Sequence, residues 1–251
     1  MKLNAKFFLV TGGNSGIGLA TAHALVESGA RVAIFGRDQQ TVDAAVAALG
    51  DGAIGVAGDV SSNEDLDRLF AEIKSSGQQL DGVFVNAGIG SLVAIADLTE
   101  AMFDKLIGIN LKGAFFTVQK ALPLMNDGGS IVFTSTAGWH QGVPGYSLYG
   151  ASKAALVGLS NSLAGELAPR KIRVNTVSPG AIETPIIGRL GLPEEQSKDI
   201  FSSWGANCMA GRVGNSSEVG SLVRFLLSDE ASYINGIELP IDGGYLLGKP
   251  A

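Results

Sequence analysis

Lys6-Phe7-Phe8-Leu9-Val10-Thr11-Gly12-Gly13-Asn14-Ser15-Gly16-Ile17-Gly18 joins an apolar, β-prone run to a glycine-rich turn and then to a helical pattern. Glycine lacks a Cβ. A turn built on Gly12, Gly16 and Gly18 can therefore bend sharply and bring backbone N–H groups close to a pyrophosphate seated on the helix N-terminus. Asn14, Ser15 and Ile17 belong to the same turn and would line the same site. The spacing is G-x-x-x-G-x-G rather than G-x-G-x-x-G, so a tight strand–helix turn without a ligand stays open as an alternative. No G-x-x-x-x-G-K-[ST] occurs in the chain, which disfavours a P-loop.

Beyond this turn the chain alternates. Strand-like runs fall at 6–11, 31–35, 53–57, 82–86, 130–135, 172–178 and 237–241. Between them apolar residues recur with helical spacing, as in Leu66, Leu69, Phe70 and Ile73. Ser61 stands three residues before Glu64, and Asn215 three before Glu218, both capping-box spacings. Gly29 and Gly50 fall where a left-handed residue closes a helix. Val- and Ile-rich strands separated by helices imply a parallel sheet buried on both sides: an α/β, doubly wound fold with helices on both faces. No repeat, linker or composition break divides residues 1–251. One domain is expected, with residues 181–212 as a long substrate loop holding Pro185, Pro193, Trp204 and Cys208.

Composition narrows the function classes. The 251 residues are 46% hydrophobic and 17% charged, against about 25% charged in an average soluble protein. That is apolar material enough for a large core and excludes a disordered chain. Glycine, at 35 residues, is about twice as frequent as the usual ~7% and shows no G-X-Y period. A net charge of −6 without a basic stripe argues against nucleic acid as a partner. Cys208, His23 and His140 supply no metal-ligand cluster, so no metal is expected. The start of the chain lacks a signal h-region, and no stretch approaches the ~20 apolar residues of a membrane span. A soluble, cytoplasmic protein without membrane partners is expected.

The second strand ends Ile34-Phe35-Gly36-Arg37-Asp38. An acidic residue at this tip would take the ribose 2′-OH of NAD, whereas an arginine suits a 2′-phosphate. Glycine at 36 with Arg37 beside it favours NADP(H). Asp38, read as the N-cap of the following helix, could instead serve the ribose, so NAD stays an alternative.

Tyr149-Gly150-Ala151-Ser152-Lys153 opens a long helical pattern, and positions i and i+4 share a helix face. A phenol titrates near pH ~10. An ammonium beside it favours the phenolate and lowers that value towards the range of a general acid/base. A lone Y-x-x-x-K is ordinarily an exposed aromatic beside an unrelated lysine. Here, however, Thr134, Ser135 and Thr136 bring hydroxyls to the carboxyl end of a strand, where open α/β sheets bind ligands. Asn110 interrupts an otherwise apolar helical stretch, and Asn86 ends the fourth strand. A buried, satisfied amide is the bland reading of each, and for Asn86 it is compatible with lining the cofactor site.

The turn at 11–18, Asp59-Val60, Asn86-Ala87-Gly88, Asn110, the serine strand, Tyr149 with Lys153, Ser178-Pro179-Gly180 and Asp242-Gly243-Gly244 together resemble the short-chain dehydrogenase/reductase family over residues 6–246. The resemblance implies a Rossmann fold, a nicotinamide cofactor, hydride transfer at a carbonyl or alcohol carbon, and a homotetramer. It implies Tyr149 as acid/base, Lys153 on the nicotinamide ribose lowering the tyrosine pKa, Ser135 on the reacting oxygen and Asn110 holding a relay water. It also implies Asp59 and Val60 at the adenine and Asn86, Ala87 and Gly88 beside the cofactor. Ile182 and Thr184, after Pro179 and Gly180, would meet the nicotinamide carboxamide. Two departures stand out. Ser135 and Tyr149 lie one position farther apart than the family's usual spacing, which Thr136 would satisfy. Aligning Ala137-Gly138 keeps Ser135, with a residue inserted around 139–142, and Thr136 stays the alternative. Ser15 stands where NADP-preferring members often carry a basic residue.

The expected function is an NADP(H)-dependent oxidoreductase, a carbonyl reductase or alcohol dehydrogenase acting without metal on a small-molecule carbonyl or alcohol. The alternatives are a 3-oxoacyl thioester reductase, an NAD-dependent sugar or polyol dehydrogenase and, from a different class, a nucleotide-sensing regulator without turnover. Trp139, His140, Val143, Tyr146, Ile187, Leu190, Trp204 and Met209 flank the catalytic positions and suggest an apolar pocket with aromatic edges. Among them Trp139, His140, Tyr146 and Trp204 are the substrate candidates. Arg170, Lys171 and Arg173 offer a modest basic patch for an acidic carrier protein.

Overall fold

The computed structural model describes residues 2–184 and 202–248. Its strands are β1 (Phe7–Thr11), β2 (Arg31–Gly36), β3 (Ala53–Ala57), β4 (Leu80–Val85), β5 (Met125–Thr134) and β6 (Arg173–Pro179), then β7 (Ile182–Glu183), β8 (Gly214–Asn215) and β9 (Glu238–Ile241). Seven of them form one sheet in the order β3-β2-β1-β4-β5-β6-β9, every pair parallel, while β7 and β8 make a separate short ladder. The helices are α1 (Gly16–Glu27), α2 (Gln39–Leu49), α3 (Asn63–Ser75), α4 (Glu100–Ile107), α5 (Ala114–Ala121), α6 (Ser147–Glu166) and α7 (Ser216–Leu227). This is the doubly wound α/β arrangement that the alternating pattern implies.

All of β1 is buried, and its side chains alternate between two cores. Phe7 and Leu9 join Leu66 and Leu69 of α3, Val118 of α5 and Leu156 of α6. Phe8 and Val10 join Leu25 of α1, Val42 of α2 and Val223 of α7 on the opposite face. Each such buried side chain contributes about 1.5–3 kcal/mol, so β1 anchors both layers. The chain winds from β1 outward to β2 and β3, then returns to β4 on the other flank of β1. That reversal opens a crevice at the carboxyl ends of β1 and β4.

Local signals are met with two adjustments. The Asp38 carboxylate caps α2 by accepting from the Thr41 N–H at 2.8 Å. Asn215 and Glu218 close the expected capping box on α7. At α3 the cap is Ser62 rather than Ser61, its hydroxyl accepting from the Asp65 N–H at 3.2 Å. Ser61 is drawn away because its N–H and hydroxyl both donate to Asp59 Oδ1, at 2.8 and 2.7 Å. β5 begins earlier than expected, at Met125, which pairs with Leu80 ahead of a register shift. Among the described residues, no helix is long and apolar enough to cross a membrane, and no group of three or more His, Cys, Asp or Glu could hold a metal.

Candidate functional site

The crevice is a cleft of about 390 Å³. Its first wall is the glycine turn. Gly12 N–H donates to the Phe35 carbonyl at 2.7 Å, which hangs the turn on β2. A Cβ on Gly18 would lie 2.1 Å from the Gly12 carbonyl oxygen, so helix and turn approach as only glycine permits. Asn86 fastens the turn from the neighbouring strand, its amide donating to the Thr11 carbonyl at 3.1 Å. The Thr11 hydroxyl in turn accepts from the N–H groups of Asn86 and Ala87, at 3.0 and 3.1 Å. Asn86 is thus both a satisfied structural amide and part of the lining.

At the tip of β2 a Cβ on residue 36 would lie 2.4 Å from Asn14 Oδ1, so a side chain there would have to displace Asn14. Asn14 is held by its amide donating to the Thr41 hydroxyl at 2.8 Å. Asp38 faces the same cleft, but Thr41 engages it, and those hydrogen bonds hold its carboxyl below the usual carboxylate range. Arg37 is exposed on the lining and makes no ion pair among the described residues.

Tyr149, Lys153, Ser135 and Thr136 come together in the same cleft, each of them buried. The Lys153 ammonium donates to the Thr134 carbonyl at 2.8 Å and lies 6.0 Å from the Tyr149 ring centroid. The Ser135 hydroxyl donates to the Lys153 carbonyl at 2.9 Å. Thr136 Oγ1 accepts from the Gly138 N–H at 3.2 Å. The electrostatics differ from the sequence expectation. Burial pushes the Tyr149 phenol well above its ordinary value, and the neighbouring Tyr146 phenol adds to the rise. Burial likewise pushes Lys153 from 10.5 down to about 8. Desolvation disfavours the charged form of both groups.

The other expected residues divide clearly. Gly12, Asn14, Ser15, Gly16, Ile17, Asp59, Val60, Ala87, Gly88, Pro179, Gly180, Ile182 and Thr184 line the cleft, as do Tyr146 and Trp204. Gly18 lies behind the turn. Asn110 lies behind the wall, fully buried in the π-helical segment Gly108–Gly113 between α4 and α5. Its side chain accepts from the Ile89 N–H at 2.9 Å and donates to the Ile89 carbonyl and the Ser152 hydroxyl, at 3.0 and 3.1 Å. Trp139 and His140 are outside the lining and bind Glu238. Most of the expected substrate loop, including Pro185, Ile187, Leu190 and Pro193, lies outside the described residues.

The comparisons with known proteins agree with this fold. A family model described as Enoyl-(Acyl carrier protein) reductase matches residues 12–246. The oxidoreductase asL5 of Sarocladium schorii is 42% identical over 246 residues, 97% of this chain and 96% of that protein. Levodione reductase of Leifsonia aquatica is 35% identical over 246 residues, 94% of this chain and 92% of that one. A solved short-chain dehydrogenase/reductase from Brucella melitensis, titled a glucose/ribitol dehydrogenase, superposes with a TM-score of 0.91 at 32% identity, covering 98% of this chain and 99% of that one. The chain belongs to the short-chain dehydrogenase/reductase family.

Sequence reading of this short-chain dehydrogenase/reductase missed several lining groups. Thr41 lines the cleft and steadies Asn14; its signal was available as the third residue after a capping aspartate. Ser91 and Leu92 also line it, in a stretch after Asn86-Ala87-Gly88 that carries no motif of its own. The basic patch dissolves on folding. Arg173 is buried, with its guanidinium on the Ser228 carbonyl at 2.9 Å. Arg170 binds the Leu122 and Met125 carbonyls at 2.8 and 2.6 Å. Lys171 is exposed, and the Arg170 side chain, 36% exposed, is paired with Asp127 at 2.7 Å.

Proposed function

We propose that this chain is an NADP(H)-dependent carbonyl reductase, with Tyr149 as proton donor. The observation that carries the reading is the convergence of Tyr149, Lys153, Ser135 and Thr136 in the cleft that also holds the glycine turn and Arg37. The cofactor fits this site in its donor set. Backbone N–H groups at the start of α1 would receive the pyrophosphate, and Arg37 would meet a 2′-phosphate beside Gly36, which presents no carboxylate. Asp59 and Val60 would border the adenine, and Pro179, Gly180, Ile182 and Thr184 the nicotinamide. Bound there, the nicotinamide supplies hydride in reduction and accepts it in oxidation.

Tyr149 delivers its proton to the substrate oxygen as the carbonyl carbon is reduced. A phenol kept protonated by burial suits that direction. Lys153, near 8, exchanges protons close to neutral pH and restores the phenol. Ser135, turning from the Lys153 carbonyl, donates to the developing oxyanion. Asn110 fixes the backbone of Ile89 and the hydroxyl of Ser152 behind the pair.

Ile89, Leu92, Tyr146 and Trp204 give the lining an apolar, aromatic character. That favours a compact ketone, such as a cyclic diketone of the kind in the name of levodione reductase, over a sugar or polyol. The burial of Arg173 weakens the case for a carrier-bound 3-oxoacyl substrate. Met102 on α4 and Phe103 beside it stand exposed, as does Phe115 on α5; this apolar face would be covered in a homotetramer. The test is Tyr149→Phe. NADPH affinity is expected to hold, while kcat on a cyclic diketone falls about 10²–10⁴-fold. A near-normal kcat sinks the assignment.

A further inference from the structure

Outside the cleft, one carboxylate oxygen gathers three polar partners. Glu238 Oε1, on β9, accepts from the Trp139 indole N–H at 2.8 Å and from the Ser178 hydroxyl at 2.5 Å, and lies 3.1 Å from His140 Nε2. The Trp139 and His140 rings stack on each other with centroids 3.8 Å apart and planes inclined at 31°. The glutamate side chain is only 15% exposed, so these bonds are made in a partly desolvated setting that strengthens them. Trp139 and His140 belong to the 3-10 turn Ala137–His140, which follows Thr136, two residues beyond the end of β5. A single side chain of the last strand thus ties down the segment between the hydroxyl-bearing strand and α6.

That turn is the seat of both tyrosines. The backbone of Trp139 packs over Gly150, where a Cβ would meet Trp139 Cα and Cβ at 3.8 Å. Gly138 is pressed against Tyr146, so that a Cβ there would lie 2.8 Å from the ring. Tyr146 then meets Tyr149 edge-on, with ring centroids 4.9 Å apart. The contacts run from Glu238 through Trp139 and Gly138 to Tyr146 and the phenol.

We propose that Glu238 is a positioning residue of this enzyme: by clamping the Ala137–His140 turn it sets where Tyr149 stands relative to the substrate oxygen. The inference rests on the carbonyl reductase reading. Loss of the carboxylate leaves the Trp139 N–H and the Ser178 hydroxyl without their acceptor and frees the turn. Displacements near 1 Å at a reacting group lower rates about 10²-fold. Neither Glu238 nor Trp139 lines the cofactor cleft; Ser178 abuts Pro179 of the lining, but its strand stays paired with β9 through Pro240, so nucleotide affinity is expected to change little.

The experiment compares Glu238→Ala, Glu238→Gln and Trp139→Phe for kcat, KM and NADPH affinity on a cyclic diketone. Emission of Trp139 is read separately in a Trp204→Phe background, since the chain has 2 tryptophans. Glu238→Ala is expected to lower kcat about ten- to hundred-fold with little change in KM. It is also expected to leave NADPH affinity unchanged and to shift Trp139 emission to the red. Glu238→Gln, which keeps an acceptor oxygen, is expected to retain kcat within about threefold and the emission of the parent. Trp139→Phe, which keeps the ring but not the donor, is expected to lower kcat in the same sense and carries the test if Glu238→Ala does not fold. Normal kcat in Glu238→Ala or in Trp139→Phe, or an equal loss in Glu238→Gln and Glu238→Ala, overturns the proposal. An active parent with indifferent variants refutes the clamp alone, whereas a parent that reduces no carbonyl with either nucleotide refutes the reductase reading and the clamp's catalytic role with it.

Discussion

Replacing Arg37 with alanine isolates the cofactor question. Gly36 offers no carboxylate, and a side chain on residue 36 would have to displace Asn14, 2.4 Å from its Cβ. Asp38 is anchored by the Thr41 N–H at 2.8 Å. The guanidinium of Arg37 is therefore the charged group at the tip of β2 that is left to read the ribose. A charge-assisted hydrogen bond contributes about 1.5–3 kcal/mol. Arg37 is exposed, and solvent screening places it at the lower end. A loss of about 1.5–2 kcal/mol weakens NADPH roughly ten- to thirty-fold. NADH, with no 2′-phosphate, is expected to bind as before. The assay is nucleotide fluorescence titrated at two ionic strengths, with the NADPH preference shrinking at the higher one. Asp38→Asn serves as the companion, since asparagine keeps the helix cap but drops the charge; it is expected to tighten NADPH and spare NADH. Equal weakening of both nucleotides by Arg37→Ala, or collapse of NADH binding in Asp38→Asn, refutes the argument and moves ribose recognition to Asp38.

Three further outcomes are expected. Ser135→Ala should lower kcat by about 10²-fold, and Thr136→Val by much less, if Ser135 is the donor to the oxyanion; steady-state kinetics of the two variants with the opposite ranking assigns that role to Thr136. Lys153 has a folded pKa of about 8, below its ordinary 10.5, so folding is penalised where the group must be charged, below pH 8, and the penalty is lifted as pH rises from 8 to 10.5. Between pH 7 and pH 10.5 the native protein should thus gain about 3 kcal/mol relative to Lys153→Met in urea unfolding; a difference that does not change with pH contradicts the burial of the ammonium. Glu218 is held down to about 2 by Arg212 and by the Asn215 N–H, so its contribution is present above pH 4.5 and lost as pH falls towards 2. The Tm gap between the protein and Glu218→Gln should close over that range in thermal melts, and a gap that persists at low pH rules out the ionised carboxylate and its pairing with Arg212 as its source.

Much of the fold could be read in advance for a definite physical reason. A parallel sheet buried on both faces demands near-continuous apolar runs, and β1 and β2 supply them without competing patterns. The glycine turn was equally legible, because close approach at Gly18 leaves no other residue possible. What escaped depends on contacts between distant segments. Trp139 and His140 are typical pocket residues by type, yet an acid 98 residues further on draws His140 away. Nothing local to Glu238 advertises that role. Arg173 looked like surface charge but is buried against the Ser228 carbonyl.

The same limit governs the tyrosine–lysine pair, where spacing shows the neighbouring charge but not the burial around both groups. Four positions along a helix place an ammonium near a phenol, and in water that neighbour would ease the phenol's ionisation. Inside this fold both groups are nearly sealed from solvent, and the ammonium is directed to the Thr134 carbonyl. Desolvation then acts on each charge separately, raising the phenol and lowering the amine. The resting pair is therefore a protonated acid beside an amine that exchanges its proton near neutral pH. Such a pair is prepared to give a proton to an oxygen gaining charge, which is the demand of carbonyl reduction. Alcohol oxidation would first require the phenolate that this burial disfavours. Under the carbonyl reductase reading, a preference for reduction would arise from the packing around residues 149 and 153, and it should weaken in any variant that lets water reach them.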